Sequence, residues 1–249
     1  MARNFTNANT YLDAGFAPMT GTGARTVTYR VNTTASGTEY MWGWGSAGTA
    51  AQYRMRLDVG RPRLESANGF WRGTNTINGG TWQRMAVSNP ASDDLSGTVI
   101  YIDGVAESSS GSSTGTALNT GSGNLIINKH STGGAGLVGA YAEFAVWDVV
   151  LSADEMIAVT SRVSPILVRP ESLVFYAPLI RDEDKDLISG LQMTLTNANV
   201  TVVAHPPVYR FAPAIRIAVR QAAAAAGGLI LSHMGGIQGR SALVGGIRG

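Results

Sequence analysis

Residues 53–59 alternate strictly: Tyr53, Met55, Leu57 and Val59 are apolar, while Arg54, Arg56 and Asp58 between them are charged. Successive side chains of an extended chain point to opposite sides, so such a segment buries its apolar half only as a strand lying over a core. Residues 26–31 repeat the pattern, with Val27, Tyr29 and Val31 on one side and Thr26, Thr28 and Arg30 on the other. Further strands are expected at 40–44, 83–87, 98–102, 125–128, 141–147, 173–179 and 191–203. Turn signals separate them: Val59-Gly-Arg-Pro, Asn78-Gly-Gly, Asp103-Gly and Thr132-Gly-Gly. Asp103-Gly104 in particular suits a type I′ hairpin.

Composition agrees with many short strands. Of 249 residues, 44% are apolar and only 14% charged, and Gly, Ser, Thr and Asn supply the remaining polarity through turns. This length suits one large all-β domain, or one domain with an appendage. The chain has no cysteine, which excludes disulfides and thiolate chemistry and favours folding in a reducing cytoplasm. Residues 1–10 are polar, so no secretory signal is expected. The best apolar run, 222–231, is short and broken by Gly227 and Gly228, so no membrane span is expected.

Local signals mark further boundaries. Residues 107–123 are nearly all Ser, Gly, Thr and Ala and read as a long surface loop within the domain. Ser152 and Glu155 have capping-box spacing at the start of a short helix. Pro165 and Pro170 bracket an extended crossing, and His205-Pro-Pro ends the strand-like region. Asp186 is the last acidic residue, whereas Arg210, Arg216, Arg220, Arg240 and Arg248 follow it. Three divisions result: a sandwich over 1–163, a strand-containing extension on or beside it over 164–212, and a basic Gly/Ala-rich arm over 213–249. Glycine makes such an arm costly to order, so it is expected to order against a partner. The expected anchoring residues are Ile215, Arg216, Ile217, Val219, Arg220, Leu229, Ile237, Arg240, Ile247 and Arg248. The alternating Arg/aliphatic part suits strand addition to a partner's sheet edge.

Trp82-Gln-Arg-Met-Ala-Val followed by Val99-Ile-Tyr-Ile-Asp-Gly resembles the laminin-G-like strand pair with its Tyr-x-Asp-Gly hairpin. Leu125-Ile-Ile-Asn, Leu137-Val-Gly-Ala-Tyr-Ala-Glu-Phe-Ala-Val-Trp and the Leu151-Ser-Ala-Asp-Glu helix resemble the following family elements. Asn128 stands where that family usually has Gly. The resemblance implies an all-β, antiparallel two-sheet jelly-roll sandwich of the laminin-G/concanavalin A-like kind, here with an extended C-terminal arm. These motifs are structural and name no ligand. The module, its Arg-Pro-Glu-Ser-Leu crossing and its His-Pro-Pro segment together resemble small virion proteins of tailed bacteriophages. That context implies a non-enzymatic capsid-decoration or tail/fibre-associated protein, located in the virion and made in the host cytoplasm. Its implied partners are other capsid or tail proteins, further copies of itself and host-surface glycan. A carbohydrate-binding adhesin or lectin-like module outside a virion is the alternative.

Candidate chemistry is sparse. Glycoside hydrolysis needs two carboxyls about 5–10 Å apart, but Glu143 and Asp148 have opposite strand parity. The acidic run 182–186 reads as a solvated loop, and His130, His205 and His233 are scattered, so no catalytic residue is expected. Asn89, Asp93 and Asp94 offer a possible calcium site through loop oxygens, against the favoured reading of a polar hairpin tip. No other cofactor is expected. Tyr40, Trp42 and Trp44 share one face of a regular strand and offer a glycan platform, although large rings more often fill a core. Trp82 and Trp147 read as core residues, and Trp71 is the best single candidate for an exposed ring. The basic tail would attract phosphate non-specifically, but no nucleic-acid fold supports specific binding.

Overall fold

The computed structural model describes residues 1–209 except 49, 67, 131–132 and 181–182, whereas 210–249 lie outside the described part. The chain begins with β1 (Ala2–Phe5), β2 (Tyr11–Asp13), β3 (Arg25–Thr33) and β4 (Tyr40–Gly45). There follow β5 (Gln52–Asp58), β6 (Arg61–Glu65), β7 (Phe70–Gly73) and β8 (Gln83–Asn89). Next come β9 (Val99–Ile102), β10 (Val105–Ala106), β11 (Ser109–Ser113) and β12 (Ile126–Ile127). After β13 (Gly139–Trp147) and helix α1 (Ala153–Thr160), the strands end with β14 (Leu173–Ala177), β15 (Thr194–Thr196) and β16 (Val200–Val203). They form two sheets, the first in the order β10-β9-β8-β3-β13-β1-β16 with β14 also on β13, the second β11-β7-β6-β5-β4-β12-β2-β15. All pairings between these strands are antiparallel, so the expected two-sheet sandwich is what the chain adopts.

Alternation explains the packing. Val27, Tyr29 and Val31 of β3 and Tyr53, Met55 and Leu57 of β5 enter one core between the sheets. Facing sheets lie about 10 Å apart, a gap that large rings fill well. Trp42 stands at the centre, with ring centroids 6.0 Å from Tyr29, 5.6 Å from Trp44, 5.5 Å from Tyr53 and 6.0 Å from Phe144. Two buried polar tips of this core find partners: the Trp44 indole donates to Met19 O at 2.9 Å, and Tyr53 OH donates to Asn89 Oδ1 at 2.7 Å.

The outer face of the first sheet is roofed. Its apolar residues Ala86, Ala145, Trp147 and Tyr176 form a second cluster with Leu151, Met156 and Val159 from α1 and its approach. Ser152 caps the helix as expected, accepting from Glu155 N while Glu155 accepts from Ser152 N. Three strands that follow α1 are stitched into both sheets, with β14 on β13, β15 on β2 and β16 on β1. Two carboxylates of the acidic run are not solvated as expected. Asp184 is buried in an ion pair with Arg3, and Asp186 accepts from the backbone N–H groups of Tyr176, Ile188 and Ser189. Their oxygens meet donors, and that is what makes burial tolerable. Residues 107–123 also contain an unexpected edge strand, β11, paired to β7.

Two of the expected turns follow their chemistry. Asp103 and Gly104 both have positive φ (51° and 87°), as a type I′ hairpin requires. Asn128 takes φ 71°, which explains how it replaces the family's glycine, and its side chain donates to Thr10 O at 2.8 Å. Val59, however, turns the β5–β6 hairpin at φ 53° and is exposed. A β-branched residue is strained there, by about 1 kcal/mol relative to Asn. Val59→Asn is therefore expected to raise stability by about that amount in chemical denaturation; a lower midpoint with an unchanged m-value would contradict the strain.

Candidate functional site

The outer face of the second sheet is set by the same alternation, with a displacement in β4. Tyr40 pairs with Arg56 but Trp42 with Met55, so two residues of β4 oppose one of β5 and Met41 is the extra residue of a bulge. Met41 and Trp42 both point into the core, whereas Tyr40 is only half-buried. Two rows of residues then cross the outer face. One runs Tyr40, Arg56, Arg63, Arg72 and the other Gly43, Arg54, Glu65, Phe70. Gly43 is needed because Arg54 and His130 fill the space of its missing side chain, with His130 Cδ2 3.0 Å from where a Cβ would stand.

Two carboxylates organise the arginines. Glu65 takes Arg54 at 3.1 Å, Arg56 at 2.8 Å and Arg63 at 2.7 Å, while Asp58 takes Arg63 at 3.2 Å and Arg72 at 3.1 Å. The carboxylate side chains are 5% and 15% exposed, their arginines 18% to 31%. Negative charge thus lies underneath and positive charge above. Burial raises the Asp58 carboxyl, but the hydrogen bonds and charges of Arg63 and Arg72 outweigh it and leave the group below the usual carboxylate value. The rings of Phe70 and Tyr40 each carry a guanidinium: Arg63 lies 3.9 Å from the Phe70 centroid and Arg54 5.5 Å from that of Tyr40.

The structure corrects the expected platform. Trp42 and Trp44 are fully buried and Trp71 is 7% exposed, all within the core, so these three cannot stack on a ligand. The physical reason is parity: Trp71 pairs with the inward Leu64, and the bulge at Met41 separates Tyr40 from Trp42. Trp147 is a core ring as expected, but Trp82 is only half-buried. Sequence reading missed the arginines, although the 53–59 alternation already placed Arg54 and Arg56 on the solvent side.

Asn89, Asp93 and Asp94 do lie in one hairpin, but their oxygens serve protein donors. Asn89 Oδ1 accepts from Tyr53, the Asp93 carboxylate from Asn89, Ser96 and Gly97, and Asp94 Oδ1 from Ser96 N. A calcium ion would have to displace these donors, and the set does not fit one. Among the described residues no group of three or more His, Asp or Glu could hold a metal. The ten anchoring residues from Ile215 to Arg248, like His233, lie outside the described residues.

On the opposite face, beside the roof, a polar group gathers that no motif announced. Glu143 sits at a second bulge with φ 54°, accepts from Tyr176 OH at 2.6 Å and lies 3.2 Å from His205 Nε2. Arg30 donates to Pro207 O at 2.7 Å. Glu143 is 1% exposed and the 205–207 crossing closes over it, so the group fastens that crossing to the sheet.

Comparison with known proteins bears on this geometry. The family model of the concanavalin A-like lectin/glucanases superfamily matches residues 6–156. No curated protein matches the chain. A Bacteroides ovatus protein, provisionally described as carbohydrate-binding, superposes with a TM-score of 0.59 at 16% identity, covering 84% of this chain and 62% of that one. This chain therefore spans less than two thirds of that protein's length. Domains LG4-5 of the mouse laminin α1 chain give a TM-score of 0.45 at 15% identity, covering 61% and 43%. The CBM40 of a Ruminococcus gnavus IT-sialidase gives 0.44 at 16% identity, covering 57% and 85%. At such identities the likeness concerns fold alone.

Two outcomes follow from the site's packing. Trp71→Ala is expected to cost about 3–5 kcal/mol of stability, as for a core ring, in a denaturant titration; a neutral result would return Trp71 to the surface. His130 is held neutral, its pKa lowered to about 4 by burial and then by the charge of Arg54. The unfolded chain takes up that proton first, so stability is complete above pH 6.5 and declines as pH falls toward 4. The slope is bounded by about 1.4 kcal/mol per pH unit, the limit for one proton. Melting curves between pH 6.5 and 5 should show it in the parent protein and lose it in His130→Gln. An equal decline in both would assign it to other groups.

Proposed function

The chain belongs to the concanavalin A-like lectin/glucanase superfamily, and on that premise we propose that it is a non-enzymatic module binding glycan on the outer face of its second sheet. The observation that carries this reading is the inequality of the two outer faces. The first sheet is covered by α1 and the 205–207 crossing. No described element roofs the arginine rows of the second, and their side chains are fixed by ion pairs before any ligand arrives. Such pre-organised polar groups lower the ordering cost of binding. The Bacteroides ovatus protein of like fold, with its provisional carbohydrate-binding description, supports the same reading.

A non-catalytic role is supported by how the carboxylates are used. Glu65 and Asp58 are committed to arginines, and Glu143 lies enclosed on the other sheet. Display on a bacteriophage particle through 213–249 is a second proposal, carried by the basic, acid-free run of sequence after Asp186.

The test is a glycan array probed with the full chain, followed by affinities for the best hit. Tyr40→Ala combined with Arg56→Ala should weaken binding at least about tenfold, the equivalent of one or two good contacts. Arg84→Ala, on the roofed sheet beside Asp103, should leave it unchanged. Equal losses in both variants, or none in the first, would move the binding face elsewhere.

A further inference from the structure

We infer that the glycan recognised by this face is anionic, bearing carboxylate or sulfate groups read by guanidinium forks rather than by ring stacking. The inference rests on the glycan-binding reading and names the ligand class. Its first support is charge. Arg61 also points outward, opposite Asp58, so across β5, β6 and β7 five arginines meet two carboxylates, a net of +3 for these three strands. Since the carboxylates are the more deeply buried partners, a ligand approaching from solvent meets guanidinium first.

The second support is the state of the rings. A sugar ring stacks its apolar face on a bare aromatic face, but Phe70 and Tyr40 each carry an arginine. Tyr40 is further hemmed in by His130, with centroids 5.3 Å apart, and by Gly134, whose Cβ would fall 2.3 Å from the ring. The rings therefore serve as supports that flatten and hold guanidinium groups. A planar guanidinium matches a carboxylate or sulfate bidentately, which a lysine ammonium does not.

The third support is spacing. Arg56, Arg63 and Arg72 lie directly opposite one another on three adjacent strands. Neighbouring strands are about 4.8 Å apart, so the row repeats positive charge at about that interval across the sheet. A linear polyanion lying across the strands would meet one cation after another.

The experiment uses the full chain with four probes: polygalacturonate for carboxylate, dextran sulfate for sulfate, unmodified dextran as the neutral chain, and single-stranded DNA as a polyanion that is not a glycan. Affinities are measured for the parent, Arg72→Gln and Arg72→Lys, with melting temperature as a folding control. Arg72 is chosen because its partners Asp58 and Ser110 lie at the margin of the network. One or both anionic glycans should bind at least about tenfold more tightly than dextran, and affinity should fall as salt rises. Arg72→Gln should weaken that binding about three- to tenfold, with Arg72→Lys recovering only part of the loss. Which anionic glycan prevails distinguishes carboxylate from sulfate.

Four results would overturn the inference. Equal affinity for a neutral glycan would refute anionic selection while leaving glycan binding in place. Anionic binding unaffected by both folded Arg72 variants would place it elsewhere in the chain, where the arginines after residue 209 are the obvious source. DNA bound as tightly as the anionic glycans, with the same Arg72 dependence, would make the face a general polyanion surface. Absence of binding by every glycan, on the array as well as among these probes, would remove the underlying glycan reading itself.

Discussion

Two twisted sheets stacked face to face leave a slab of space that must be filled, and here aromatic rings fill it. Trp42 touches rings from both sheets, meeting Trp44 and Tyr53 from its own and Tyr29 and Phe144 from the other. Everything outside the slab follows from which side chains this core claims. By taking Met41 and Trp42 as consecutive residues, the core forces a bulge into β4, and the bulge turns Tyr40 outward. One packing demand thus determines the edge of the candidate site. A second bulge at Glu143 lets β13 pair end to end with β1 and β14 along one side.

The two outer faces then diverge for a physical reason. On the first sheet the outward residues Ala86, Ala145 and Trp147 are apolar and need cover, which α1 and the segments after it provide. On the second sheet the outward residues of β5 and β6 are arginines and carboxylates that need none. Their ion pairs are exposed enough to add little to stability. Their larger effect is positional, since each carboxylate holds two or three guanidinium groups in fixed places.

Much of this was legible in the chain itself. The 26–31 and 53–59 alternations marked β3 and β5 with the correct core sides, apart from Val59, which the turn leaves exposed; Asp103-Gly104 marked its hairpin, and Ser152 with Glu155 marked the helix start. Pattern reading failed where periodicity breaks. A bulge inserts one residue and reverses every later side chain, so a regular strand wrongly put Tyr40 beside Trp42. It also failed where partners are distant, as with Asp184, whose ion pair to Arg3 spans 181 residues.

What the sequence settled alone was local: which segments extend, which face of each is apolar, where the chain turns, and that no thiol chemistry exists. Those properties depend on neighbours within a few residues. Only the tertiary structure decided which charged faces lie together, since the arginine rows arise from strand register and not from any single run. It alone decided that the tryptophans are consumed by the core, because burial of a ring is set by what the opposite sheet brings to meet it.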